Sequence, residues 1–239
     1  METLAMIPGT LCDGLLFAPQ VTGLRDIFLP KVVSNSSADQ LTDVANNILA
    51  ELPTRFSVMG LSYGGILAFE LWRQAPDRIN RMILLNTTHL RPSEPTIIAQ
   101  QRFVGMSQLG LFENITTDHL TDKMLHPDHA QQPALRQTVL QMTRNVGPEA
   151  FVRQIKAQQG RPDSTPDLPT ITCPTLIIVG QEDVVCPPAL HEQMAAAIPN
   201  ATLHLIERCG HLSTLEQPTT VNTLIKNWVK ATRRKSEEK

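Results

Sequence analysis

Ser62 stands in Gly60-Leu61-Ser62-Tyr63-Gly64-Gly65, a G-x-S-x-G pattern that follows a short apolar run and opens a stretch with helical spacing. A serine on so sharp a strand-to-helix turn presents its hydroxyl for attack on a carbonyl, and glycines at 60 and 64 remove the side chains that would crowd the bend. A hydroxyl is a weak nucleophile at neutral pH and needs a base. Among the seven histidines, His211 in Cys209-Gly210-His211 directly follows the last expected strand. His89, beyond the strand that ends at Leu85, is its rival. His119, His126, His129, His191 and His204 fall in polar segments, on a helix or in a strand, where solvation or packing accounts for them.

An imidazole base works best when a carboxylate orients it. Val179-Gly180-Gln181-Glu182-Asp183 supplies Asp183 at a strand end, with Glu182 as the neighbouring alternative. The plainer role for Asp183 is to cap the helix that opens at Pro187-Pro188. The strand ending at Leu85 runs into Asn86-Thr87-Thr88, which holds no acid. Negative charge developing on the substrate oxygen calls for fixed backbone donors. The Tyr63 amide is one, and the loop Pro8-Gly9-Thr10-Leu11 offers Thr10, or else Leu11, as the other. Together these residues describe acyl transfer through a serine: Ser62 as nucleophile, His211 as base and Asp183 as orienting acid.

Such groups must be carried on strand ends, and the chain supplies them. Short apolar runs at 3–7, 27–33, 56–59, 81–85, 174–180 and 202–206 alternate with helical patterns at 39–52, 64–74, after Pro187 and around 221–229. In the first of these helices Leu41, Val44, Ile48 and Leu52 fall on one face, with Ser37 or Asp39 as its cap. Alternating strands and helices predict a mostly parallel sheet of about six strands with helices on both faces, the α/β class. From Arg91 to Pro166 the pattern lapses into Gln-, Thr- and Met-rich helical spacing, a mobile helical insertion dividing a core of residues 1–90 and 167–239. The charged tail from Arg233 is expected to fray.

A chain of 239 residues with 41% hydrophobic and 18% charged residues fits a single globular unit. Its net charge of −2 gives no basic field for nucleic acid, and no apolar run is long enough for a membrane span or a signal segment. The four cysteines, Cys12, Cys173, Cys186 and Cys209, lack paired spacing and read as reduced thiols in a cytoplasmic protein. Neither cysteines nor histidines show metal-ligand spacing, so neither metal nor other cofactor is expected.

The order Ser62, Asp183, His211, with Gly9-Thr10, Gly60-Leu-Ser62-Tyr-Gly64-Gly65, Gly180-Gln-Glu-Asp183 and Gly210-His211, resembles the α/β-hydrolase family from Thr3 to about Trp228. Within it the chain looks like small capped bacterial hydrolases, such as pimeloyl-carrier-protein methyl ester esterases and the menaquinone-pathway synthases. Two departures stand out: Pro8 replaces the histidine usual before the oxyanion glycine, and the sequence begins at the family's third strand. The resemblance implies that residues 91–166 form a lid, with Phe103, Met106, Leu109, Leu111, Phe112 and Met142 lining an acyl pocket. It implies hydrolysis of a small-molecule ester or thioester. C–C bond hydrolysis or lyase chemistry by the same residues is the alternative, and a ligand-sensing receptor that keeps the site as a pocket is another. Arg144, Arg153, Lys156 and Arg161 near the lid's end hint at an anionic group on the substrate.

Overall fold

A computed structural model describes residues 1–237. Six strands, β1 (Glu2–Ile7), β2 (Phe28–Val32), β3 (Phe56–Leu61), β4 (Ile79–Leu85), β5 (Thr175–Gly180) and β6 (Ala201–Ile206), form one sheet in the order β2-β1-β3-β4-β5-β6. Every pairing is parallel. β3 and β5 are buried at every position, as strands covered on both faces must be. Pro30 sits on the outer strand β2, where its missing N–H breaks no ladder.

Alternate residues of each strand feed two separate cores. Ala5, Ile7, Val58 and Ile177 pack with Val44 and Ile48 of helix Leu41–Glu51, with helix Tyr63–Gln74 and with Met194 of helix Pro188–Ala197. Leu4, Met6, Met59 and Ile178 pack on the opposite face with Phe17, Leu24 and the last helix, Pro218–Glu237, through Val221, Ile225 and Val229. The side chains of the charged tail beyond residue 232, and residues 238–239 altogether, lie outside the described residues. Neither Ser37 nor Asp39 caps helix Leu41–Glu51, whose N-cap position is Gln40 without a side-chain bond. Ser37 instead accepts from Asn47, and Asp39 from Lys156.

Register decides where the loops emerge. Ile7 lies opposite Gly60, Leu61 opposite Leu85, Leu85 opposite Ile178, and Gly180 opposite Ile206. The loops opening at Pro8, Ser62, Asn86, Gln181 and Glu207 therefore share one carboxyl edge. Between β1 and β3 the chain's direction of travel across the sheet reverses, and a crevice forms at such a switch point. Pro8-Gly9 and Ser62 lie at this point of the sheet edge.

Between β4 and β5 the chain is almost wholly helical, with Glu94–Gln108 and Pro133–Gln159 as its long members. The second is broken at Gly147-Pro148, where Gly147 takes φ 75°. The insertion has its own apolar cluster of Phe112, Ile115, Phe151 and Ile155, which closes over Leu11 of the β1 loop. No described helix is long and apolar enough to cross a membrane.

Candidate active site

Ser62 occupies the turn between β3 and helix Tyr63–Gln74 with φ 55° and ψ −115°, a strained conformation for a residue with a side chain. Close packing enforces it: a Cβ on Gly60 would strike the Gly64 carbonyl, and one on Gly64 would strike that of Ile7. The Ser62 amide donates to the Leu85 carbonyl (2.9 Å), and the Ser62 carbonyl accepts from Thr87 Oγ1 (2.7 Å). The Ser62 turn is thus pinned to the end of β4 on both sides of its serine. Tyr63 is fully buried beneath it.

Asp183 and His211 come together from separate strand ends. His211 Nδ1 lies 2.8 Å from Asp183 Oδ2, and both side chains are buried. Burial works to raise the Asp183 carboxyl pKa; the charge and hydrogen bond of His211, the Cys186 amide and the Asn86 amide outweigh it and hold it below the usual carboxylate range. Oδ1 accepts from the amides of Val185 (2.8 Å) and Cys186 (2.9 Å), so the carboxylate also organises the turn before helix Pro188–Ala197. The turn role and the role toward histidine occupy different oxygens. Glu182 points elsewhere, accepting from the Cys209 amide.

Asn86, passed over in the sequence because it is not an acid, joins these pieces. Completely buried with φ 46°, it donates to Asp183 Oδ2 (2.9 Å) and to the Gly210 carbonyl (3.1 Å), and accepts from Ser213 Oγ (2.6 Å). His191 is likewise more than packing. Its Nε2 accepts from the Thr87 amide (2.9 Å), so the proton is on Nδ1, which faces the Pro187 carbonyl (3.2 Å). Burial lowers its pKa to about 4. His89 is buried without a partner for Nδ1, and burial lowers its pKa too; no carboxylate binds its ring.

The β1 loop abuts Ser62, since a Cβ on Gly9 would lie 3.4 Å from that of Ser62. The Leu11 amide is engaged by Gln154 Oε1 (3.1 Å). Asn35 fastens this loop: it donates to the carbonyls of Pro8 (2.8 Å) and Gly9 (3.0 Å) and accepts from Gln154 Nε2 (2.8 Å). Gln158 Nε2 reaches Thr10 Oγ1 (2.9 Å). Only the polar type of Asn35, Gln154 and Gln158 was visible in the sequence, and that does not show burial.

Phe103 and Met106 are half-buried against the insertion's cluster, while Phe112 is buried and stacks near Phe151, centroids 5.7 Å apart. Three expected pocket residues are elsewhere. Leu109 (78% exposed) and Leu111 (45%) face solvent, because they flank the chain reversal at Gly110, and Met142 belongs to a sheet-side core. Of the four cations, Arg144 pairs with Glu113 and Lys156 with Asp39, while Arg153 and Arg161 bind backbone carbonyls.

The model of the alpha/beta hydrolase family matches residues 10–224. The chain belongs to the alpha/beta hydrolase family. Among relatives, this hydrolase is 32% identical over 195 residues to the pimeloyl-[acyl-carrier protein] methyl ester esterase of Nitrosomonas europaea, covering 76% of this chain and 73% of the relative. It is 27% identical over 208 residues to a 2-hydroxy-6-oxononadienedioate/2-hydroxy-6-oxononatrienedioate hydrolase of a Pseudomonas species, covering 83% and 71%. A thermophilic esterase from Thermogutta terrifontis superposes with a TM-score of 0.88 at 25% identity, over 97% of this hydrolase and 90% of that esterase.

Proposed function

We propose that this hydrolase cleaves a small carboxylic ester or thioester through an acyl-serine intermediate. The observation that carries the reading is the 2.8 Å bond from His211 to Asp183 on the sheet edge that also bears the strained Ser62 turn. Ser62 Oγ attacks the carbonyl carbon and its proton passes to His211 Nε2. The amides of Thr10 and Tyr63 hold the oxyanion, and His211 returns the proton to the departing alcohol or thiol. Water then attacks the acyl-serine by the same route in reverse. Asp183 keeps Nδ1 protonated and stabilises the imidazolium without itself taking the proton.

In this reading residues 91–166 form a lid over a core of 1–90 and 167–239, and Phe103, Met106 and Phe112 meet the acyl chain. The four unpaired, buried cysteines suit a cytoplasmic setting. A second reading, C–C bond cleavage by the same three groups, draws support from the Pseudomonas relative.

The test is a panel of short and long p-nitrophenyl esters, acyl thioesters and a 2-hydroxy-6-oxo-dienoate, run with fluorophosphonate labelling of wild type and Ser62→Ala. Ester or thioester turnover with a label that vanishes in S62A is expected. Turnover of the dienoate alone selects the second reading. Binding without turnover or label selects a receptor.

A further inference from the structure

The Glu216 side chain is wholly buried, and the reaction scheme gives it no task. A carboxylate kept from water is costly unless hydrogen bonds fill its lone pairs, and here four donors do so, in two pairs from two parts of the chain. Oε1 accepts from the amides of Gly210 (3.0 Å) and Leu212 (3.2 Å), the residues on either side of His211. Oε2 accepts from the amide of His126 (2.7 Å) and lies 2.9 Å from His129 Nδ1, both in the helical insertion. The remaining amide of this loop, that of His211, donates to the Met124 carbonyl (2.7 Å), which Leu212 shares (3.2 Å). The two segments meet with no room between them: a Cβ on Gly210 would fall 2.7 Å from the His126 nitrogen and 2.9 Å from the Met124 oxygen.

We infer that Glu216 is a positioning residue that fastens the His211 loop to residues 124–129 of the insertion, so that the base faces Asp183 squarely only while that segment is seated. The inference rests on the reading of His211 as the base. A carboxylate that merely capped the short helix Ser213–Glu216 would need Oε1 alone. The Oε2 bonds are what tie the base to the insertion. Glutamine at 216 can keep an acceptor toward Gly210 and Leu212, but its amide then confronts the His126 N–H with a second donor.

The low-field proton signal of His211 Nδ1, assigned by its loss in His211→Ala, reports the bond to Asp183 directly. In Glu216→Gln this signal should shift or broaden, while kcat and the fluorophosphonate labelling rate fall roughly 10- to 100-fold with KM little changed, the cost of slight misalignment. His129→Ala should show a smaller change of the same kind. A wild-type signal and labelling rate in a folded E216Q protein would overturn the proposal. If E216Q does not fold, H129A decides on the same readouts, an unchanged signal and rate overturning it. If the wild-type protein takes no label and cleaves no ester, the acyl-serine reading fails, while the low-field proton still tests the positioning claim.

Discussion

The proposed acid-base end of the site and its proposed oxyanion end share one sheet edge but are held in different ways. Asp183 and His211 are oriented largely by strand-end neighbours: Asn86, Ser213 and the amides of Val185 and Cys186. The side-chain frame of the loop at residues 8–11, the proposed oxyanion loop, comes from farther away. Its bonds come from Asn35, beyond β2, and from Gln154 and Gln158, near the end of the insertion's longest helix. The first end is therefore framed by the sheet edge and tied to residues 124–129 of the insertion through Glu216, whereas the second is held by the opposite end of the insertion, residues 154–158. In the proposed mechanism, orientation of the base and stabilisation of the oxyanion then depend on different segments of the insertion.

Substitutions at the acid-base end should have the largest effect. Ser62→Ala or His211→Ala is expected to lower kcat by about 10⁶-fold and Asp183→Asn by about 10⁴-fold, since the carboxylate only orients the imidazole. Steady-state and single-turnover kinetics would show this, and a milder loss in H211A than in His89→Ala would break the assignment. His191 offers a pH test of the same end. Its ring is neutral in the folded protein, with a pKa of about 4 against an ordinary value of 6.5. The unfolded chain takes up the proton first as pH falls, so the stabilising contribution is complete above pH 6.5 and is lost between there and pH 4. Over that window the loss should amount to about 3 kcal/mol, and His191→Gln should show a shallower fall of Tm with acid.

The oxyanion end calls for a different variant. Gln154→Leu leaves the Leu11 amide and Asn35 Oδ1 unpaired and should lower kcat roughly 10- to 100-fold, comparable to weakening one oxyanion donor. The low-field proton of His211 should stay in place. If it moves, the two ends respond as one unit and the contrast drawn above fails. The smallest expected effect is on selectivity: Phe103→Ala and Met106→Ala should shift the ratio of kcat/KM between short and long acyl esters by about 10-fold. A uniform loss with a matching fall in Tm would assign both residues to packing within the insertion.

How much of this could be read beforehand follows the same division. The meeting of Asp183 and His211 was legible because each lies in a short loop after an apolar strand, and the sharp turn at Ser62 because its glycines admit few other backbones. Six strands and their order of appearance followed from alternation alone. Gln154 was not legible: in a Gln-rich helix it resembles a solvated residue, and only the fold brings it to Leu11. Leu109 and Leu111 misled in the opposite sense, since apolar character does not reveal that a reversal at Gly110 turns them outward. Asn86 was discounted for lacking a charge, although a buried neutral amide can serve Asp183, Gly210 and Ser213 at once, and an acid in its place would have set a second negative charge against Asp183.

The bond from Gln154 to both Leu11 and Asn35 bears on how such proteins diversify. Insertions of this kind look like interchangeable cassettes, which recombination could pass between relatives to change what they accept. Here a transplant of residues 91–166 would carry away Gln154 and Gln158 but leave the Asn35 carbonyl oxygen and the Leu11 amide behind, buried and without their partner. A donor segment lacking matching amides would arrive with a handicap that no improvement in its own pocket repairs. Inheritance at this site should run in linked sets, Asn35 travelling with Gln154, and a chimera should regain function soonest when both are moved together.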